Sequence, residues 1–295
     1  MKFLKPDFYD DFKCIASRCR HSCCVGWEID IDADTMELYK GLPGEIGNEL
    51  RCSVAADPEP HFIMTSDGRC PFLCQDGLCR LILTYGDNIL CDICAEHPRF
   101  YNCTGGREEC GLGLCCEEAV RLLYASDAVL EYIMEDDGET DCDTPLEAEI
   151  FALRAEIFSA LSDRAVPLHE RLRKICGICG VDMPELNIGR WAQVYLRLEM
   201  LNSAWGEKLR LLEDLGEFSI PNLPRYERLA SYLIYRHFIS ASSVRFAVLS
   251  AAMVAALDSV TPPEEHAENL RMYSEEIEYS DENIDKIFAF MDSIC

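Results

Sequence analysis

Apolar residues follow two different rhythms along this chain. Beyond about residue 146 they recur three and four positions apart, as in Ile150, Leu153, Ile157 and Leu161, which is the spacing of a buried helical stripe. Amphipathic runs over 146–161, 167–176, 188–212, 226–241, 241–257, 263–273 and 281–295 predict a compact helical bundle. Between residues 8 and 116 the pattern instead breaks into short pieces punctuated by Gly, Pro, Asp and Cys, and no helical period is sustained. Within that part, 27–31 and 61–64 read as short extended segments able to pair, and 35–40 as a helical turn after Asp34 as a cap. Helical spacing returns over 117–135 and is followed by the acidic stretch EDDGETDCDTP, which reads as a linker. The expected fold is therefore mainly α: a cysteine-rich, metal-organised N-terminal module with little regular structure (1–125), an acidic linker (126–146) and an all-helical C-terminal domain (147–295).

Charge narrows the partners. A formal net charge of -26 repels phosphate backbones and anionic lipid headgroups and attracts cationic partners, so neither nucleic acid nor membrane is an expected partner and a lysine-bearing protein suits the field. Asp7, Asp10 and Asp11 interrupt the first residues where a secretory signal needs an apolar stretch, and the longest apolar run, 246–257, is shorter than a membrane span, which predicts a cytoplasmic protein. Phosphate-binding loops, zinc-protease helices and nucleophile elbows are missing from the sequence. The glycines around 105–113 follow no apolar strand, so a Rossmann-type donor site is not expected either.

The chemistry of the N-terminal part lies in its sulfur. Fourteen of the 18 cysteines precede residue 120, and in a reducing compartment they point to soft-metal ligation rather than disulfides. They fall in groups: Cys14-x4-Cys19-x3-Cys23-Cys24, then Cys70-x3-Cys74-x4-Cys79, then Cys91-x2-Cys94, then Cys103, Cys110, Cys115 and Cys116. Ligands spread this widely predict a site assembled from several segments, holding an iron–sulfur cluster or zinc. Cys52, Cys74, Cys103 and Cys110 read individually as small buried hydrophobes. The later pair Cys176 and Cys179 reads as helix-end packing. His21 and His97 sit inside the cysteine motifs, where they are able to ligate or tune a metal, whereas His61, His169, His237 and His266 stand alone.

Four ordered blocks, FKC-x4-C-x3-CCVGWEIDID, RCPFL-x4-LC, LCDIC-x2-HPR and LGLCCEEAVRLL, make residues 8–124 resemble the flagellin lysine N-methylase family of bacteria. The resemblance implies a metal-binding set of Cys14, Cys19, Cys23, Cys24, Cys70, Cys79, Cys94 and Cys116, with Trp27, Pro98, Arg99 and Glu109 also matching the pattern. It implies methyl transfer from S-adenosylmethionine to lysine side chains of flagellin, with an iron–sulfur cluster (4Fe-4S favoured, zinc as the alternative) as cofactor. Cys115, Glu117 and His97 depart from the pattern. A non-catalytic metal carrier and an electron-transfer protein are the rival readings.

Lysine must lose its proton before its nitrogen attacks a methyl group, and a reference pKa of about 10.4 opposes this at neutral pH. Glu28, Asp30 and Glu109 are the carboxylates placed to help as catalytic groups. Trp27 and Tyr101, with Tyr85, are candidate aromatic walls for a sulfonium donor, and Arg99 a candidate holder of its carboxylate.

Overall fold

The computed structural model describes residues 2–104, 106–136, 144–238 and 240–293. It divides into two compact units, Lys13–Phe100 and a second made of Met1–Phe12 with Tyr101–Cys295. In chain order the regular elements begin with β1 (Lys2–Pro6), α1 (Ala33–Gly41), α2 (Gly44–Cys52), β2 (Val54–Ala55), β3 (His61–Phe62), α3 (Arg80–Tyr85) and α4 (Asp92–Glu96). They continue with β4 (Arg99–Thr104), β5 (Arg107–Leu112), α5 (Glu117–Leu123) and β6 (Tyr132–Asp136). The remaining helices are α6 (Pro145–Leu161), α7 (Leu168–Ile178), α8 (Ile188–Tyr195), α9 (Ser203–Arg210), α10 (Pro224–His237), α11 (Ser243–Val260), α12 (His266–Tyr273) and α13 (Asp281–Ser293). The fold is mainly α, with a small sheet.

The larger unit is built on the helices that the apolar period foretold. α6 starts at a capping box, in which the Thr144 hydroxyl accepts from the Glu147 amide and the Glu147 carboxylate accepts from the Thr144 amide, with Pro145 pre-set for the first turn. α10 and α11 are buried on nearly every side, as in Tyr226–Tyr235 and Ser243–Asp258, and form the centre of the bundle. α11 is long and apolar enough to cross a membrane, yet 89% of its apolar stretch is buried within the unit. The run 188–212 is two helices rather than one. Between them the Leu201 and Asn202 amides donate to the Glu276 carboxylate (both 2.8 Å), so the backbone freed at the break is satisfied from a π-helical turn at Ser274–Glu278.

The sheet is the feature that local pattern did not reveal. Its order is β4-β5-β1-β6, with β1 parallel to β5 (Phe3 opposite Glu108) and antiparallel to β6 (Lys2 opposite Asp136, Pro6 opposite Tyr132). The first residues of the chain thus belong with the helical unit, and β6 lies inside the stretch expected to be linker and after a helix that ends at Leu123 rather than near 135. Residues 137–143, the rest of the expected acidic linker, lie outside the described residues. The sheet is tied to α10 by Tyr235, whose hydroxyl donates to the carbonyls of Leu4 (2.7 Å) and Cys110 (2.9 Å).

In the smaller unit, helices are short and strands shorter. Asp32, not Asp34, caps α1: its Oδ1 accepts from the Thr35 amide at 2.8 Å and its Oδ2 from the Asp92 amide at 2.9 Å, at the start of α4. One carboxylate therefore fixes two helix starts that lie 60 residues apart. The two predicted extended segments do meet, through an antiparallel bridge between Asp30 and His61 and the bonds Phe62 N–H to Ile29 O (3.0 Å) and Ile31 N–H to Pro60 O (2.7 Å). Alternation then sends Ile29, Ile31 and Phe62 into the core and leaves Glu28, Asp30 and His61 on the other face.

Candidate functional site

Sulfur converges in the core of the smaller unit. Cys70 and Cys91 are buried among Ile29, Tyr39, Phe62 and Phe72, and Cys24, Cys79 and Cys94 pack against the same cluster. Short-range backbone bonds bring these segments together. The Cys70 amide donates to the Cys24 carbonyl (2.8 Å), the Gly26 amide donates to the Gly68 carbonyl (2.8 Å), and Val25 bridges to Arg69, so that 24–26 and 68–70 run side by side. Gly26 makes this approach with φ +81, a left-handed conformation that a side chain resists.

Electrostatics tie the five thiols to one another. Burial pushes the Cys70 thiol up to about 12, and the neighbouring Cys24, Cys79 and Cys91 add to the effect. Cys94 is raised by donating to Cys91, by burial and by the proximity of Cys91, Cys24 and Cys70; Cys91, as acceptor, is lowered. Cys24 is lowered to about 7 because Cys23 and Ser22 donate to it and Arg69 stands near, against the cost of burial. Burial, followed by Cys91, Cys94 and Cys79, holds the Tyr39 phenol well above its usual value, and its hydroxyl donates to the Ile89 carbonyl at 2.9 Å.

Among the described residues no group of three or more His, Cys, Asp or Glu side chains is spaced to hold a metal ion as it stands. The donor chemistry nevertheless fits a thiophilic centre. Backbone amides point at the sulfurs: Phe72 N–H at Cys70, Leu81 and Ile82 N–H at Cys79, and Cys94 N–H at Cys91. Such donors stabilise thiolate rather than thiol, and four or five thiolates in an apolar core need a cation for company.

The sequence-derived ligand set is only partly gathered here. Cys24, Cys70, Cys79 and Cys94 meet; Cys23, exposed, touches this group only through Cys24, Cys14 is exposed and Cys19 half-buried in the same unit, while Cys116 belongs to the other unit as the N-cap of α5. Cys91 was not in the set. Its signal was available in the x2 spacing to Cys94, which places both thiols on one turn. Cys110 is buried and Cys74 half-buried, as small apolar residues would be, but Cys52 and Cys103 are exposed, which corrects the reading of those two. Cys176 is buried on the last turn of α7 and Cys179 is its C-cap.

An open cleft of about 500 Å³ lies against this core, lined by Gly26, Trp27, Glu28, Ala55, His61, Phe62, Ile63, Met64 and Gly68. Phe62 is common to both, since it is a core residue beside Cys70 and also a wall of the cleft. Of the predicted donor- and lysine-handling residues, Trp27 and Glu28 line this cleft, and Asp30 is paired with its His61. Arg99 and Tyr101 are not among its walls. Glu109 lies in the other unit, 3% exposed, where both its oxygens accept from Arg154 at 2.8 Å. That carboxylate is occupied in holding β5 to α6.

Three known proteins are similar to part of this chain. The chain is 28% identical over 140 residues to the lysine-N-methylases of Salmonella choleraesuis (strain SC-B67) and Salmonella typhimurium, a match that covers 42% of this chain and 33% of each relative. It is similar to the flagellin lysine N-methylase family. A third relative, the flagellar biosynthetic protein FliU of Salmonella muenchen, is 28% identical over 133 residues, covering 42% of this chain and 79% of FliU. The match spans a third of the length of the two lysine-N-methylases. No family model matches the chain, and no solved structure matches it.

Proposed function

We propose that this protein is a lysine N-methylase that transfers a methyl group from S-adenosylmethionine to lysine side chains of flagellin, with a thiolate-held iron–sulfur cluster in the smaller unit. The reading is supported by the likeness to two proteins named lysine-N-methylase and one flagellar protein. The structural observation that agrees with it is a cleft sharing Phe62 with a core of five mutually interacting cysteines. Cys24, Cys70, Cys79, Cys91 and Cys94 would hold the cluster, which when bound supplies positive charge and order to an otherwise weakly structured unit. Backbone donors at Cys70, Cys79 and Cys91 act in favour of thiolate, at Cys70 and Cys79 against a larger effect of burial that a bound cation would offset.

The protein's own residues handle the lysine. Ile63 and Met64, with Trp27, offer apolar lining for the four-carbon stem, and Glu28, whose side chain is 67% exposed, provides a carboxylate for the ammonium. Loss of the ammonium proton frees the nitrogen lone pair, and the donor supplies an electrophilic methyl on a sulfonium. The test is incubation of anaerobically purified protein with labelled S-adenosylmethionine and flagellin. Lysines of flagellin gaining one methylene mass each is the expected result. Redox cycling of a bound cluster with no methyl transfer would overturn the assignment in favour of electron transfer.

A further inference from the structure

We infer that His61 is the group that takes the proton from the substrate lysine, with Glu28 positioning it, in the cleft walled by Trp27 and Phe62. The inference rests on the methylase reading and names the base that reading requires. His61 is one of the histidines that sequence alone left without a role.

The geometry fixes its tautomer. His61 Nδ1 lies 2.8 Å from the Glu59 carbonyl oxygen, which only accepts, so Nδ1 carries the hydrogen. In the neutral ring the lone pair then resides on Nε2, and among the described residues Nε2 has no partner. The ring is held in place by β3, whose Ala55–His61 pairing with β2 and Asp30–His61 bridge lock the backbone on both sides. His61 lines the cleft, and its side chain is 20% exposed, so it is shielded yet reachable.

Glu28 completes the arrangement. Its Oε1 stands 3.7 Å from His61 Nδ1, near enough to stabilise the imidazolium that forms when Nε2 accepts a proton. The titratable groups facing the ring are Glu28 and, across the bridge, Asp30; the β2 partner Ala55 brings none. The balance is simple: the lysine Nζ–H bond breaks, its proton moves to Nε2, the nitrogen lone pair forms the new N–C bond as the donor's S–C bond breaks, and the ring later returns its proton to water.

Trp27 serves the same cation differently. Its indole lines the cleft, where cation–π attraction to the ammonium or methylated ammonium is available, and Met64 lines it beside the stem. A norleucine side chain, with the same stem and no amine, would lose the electrostatic part of this recognition.

Methyl transfer to flagellin by the full chain is measured against pH for wild type, His61→Gln and His61→Ala, with metal content determined for each. The expected result is a kcat about 100-fold lower at neutral pH in both variants, recovering at high pH where lysine deprotonates unaided, with KM for flagellin and metal content little changed. A variant pH profile superimposable on wild type overturns the inference while leaving the methylase reading intact. In parallel, Nα-acetyl-lysine methylamide and its norleucine analogue are titrated while the His61 ring resonance is followed by NMR. A shift with the lysine compound alone supports the site even if no methyl transfer is seen, in which case the activity and not the pocket is at fault; no shift, or an equal shift with norleucine, counts against it.

Discussion

In the unit Lys13–Phe100 five cysteines lie in or against a single core cluster, whereas the helical unit is centred on aliphatic and aromatic carbon. Its core combines Ile29, Ile31, Leu50, Phe62 and Phe72 with Cys70 and Cys91, and its helices run to nine residues at most. The helical unit centres on α10 and α11, 14 and 18 residues long, with Leu233, Phe246, Leu249 and Met253 fully buried. The contrast separates two ways of stabilising a fold. Long amphipathic helices hold one another by buried area, at roughly 25 cal/mol per Å² of apolar surface. Short elements spaced by thiols gain much less from packing and, in the proposed reading, depend on a shared ligand.

The largest effect should come from breaking that dependence. Cys91→Ser, at a thiol that is 1% exposed and hydrogen-bonded to Cys94, is expected to release bound metal and open Lys13–Phe100 to proteolysis, a loss of the order of 10 kcal/mol when the centre is structural. The thermal transition of the helical unit should survive. Equal loss in both units would erase the comparison.

A smaller effect is expected on the other side. Glu227 in α10 is buried and accepts from Arg164 (2.8 Å) and Arg171 (2.6 Å), so Glu227→Ala leaves the buried Arg171 guanidinium without its carboxylate, while the part-exposed Arg164 turns to water, and should cost about 3 kcal/mol. The denaturation midpoint should fall with metal content unchanged. A change in metal content would mean the units are not energetically separate.

How much of this was legible follows from the range of the forces. The helices over 145–161, 224–237 and 243–260 are written in local period because they depend on neighbours in sequence, whereas the thiol core is only partly so: the 91–94 spacing is local, but the meeting of Cys24 with Cys70 is not. β1 was not legible: five residues ending in Pro6 carry no signal until β5 and β6, more than a hundred positions later, supply the partners. The break in 188–212 likewise depends on Glu276 and on Asn283, whose side chain accepts from the Glu199 amide at 3.1 Å. His61 escaped because the role proposed for it rests on a carbonyl, a carboxylate and a cleft rather than on any motif.

The smallest effect sharpens the picture within the thiol-bearing unit. Asp32→Ala removes the acceptor for the Thr35 and Asp92 amides and should cost about 1–2 kcal/mol, loosening the turn that carries Cys91 and Cys94 without abolishing binding. Metal affinity measured by chelator competition should fall modestly. An unchanged affinity would show that α4 is held by the ligand alone.

Elemental analysis of the full chain purified without air tests the central claim most directly. Iron with matching acid-labile sulfide, retained in the wild type and lost on Cys91→Ser, is the predicted result. Protein that is folded over Lys13–Phe100 yet holds neither iron nor zinc would contradict it.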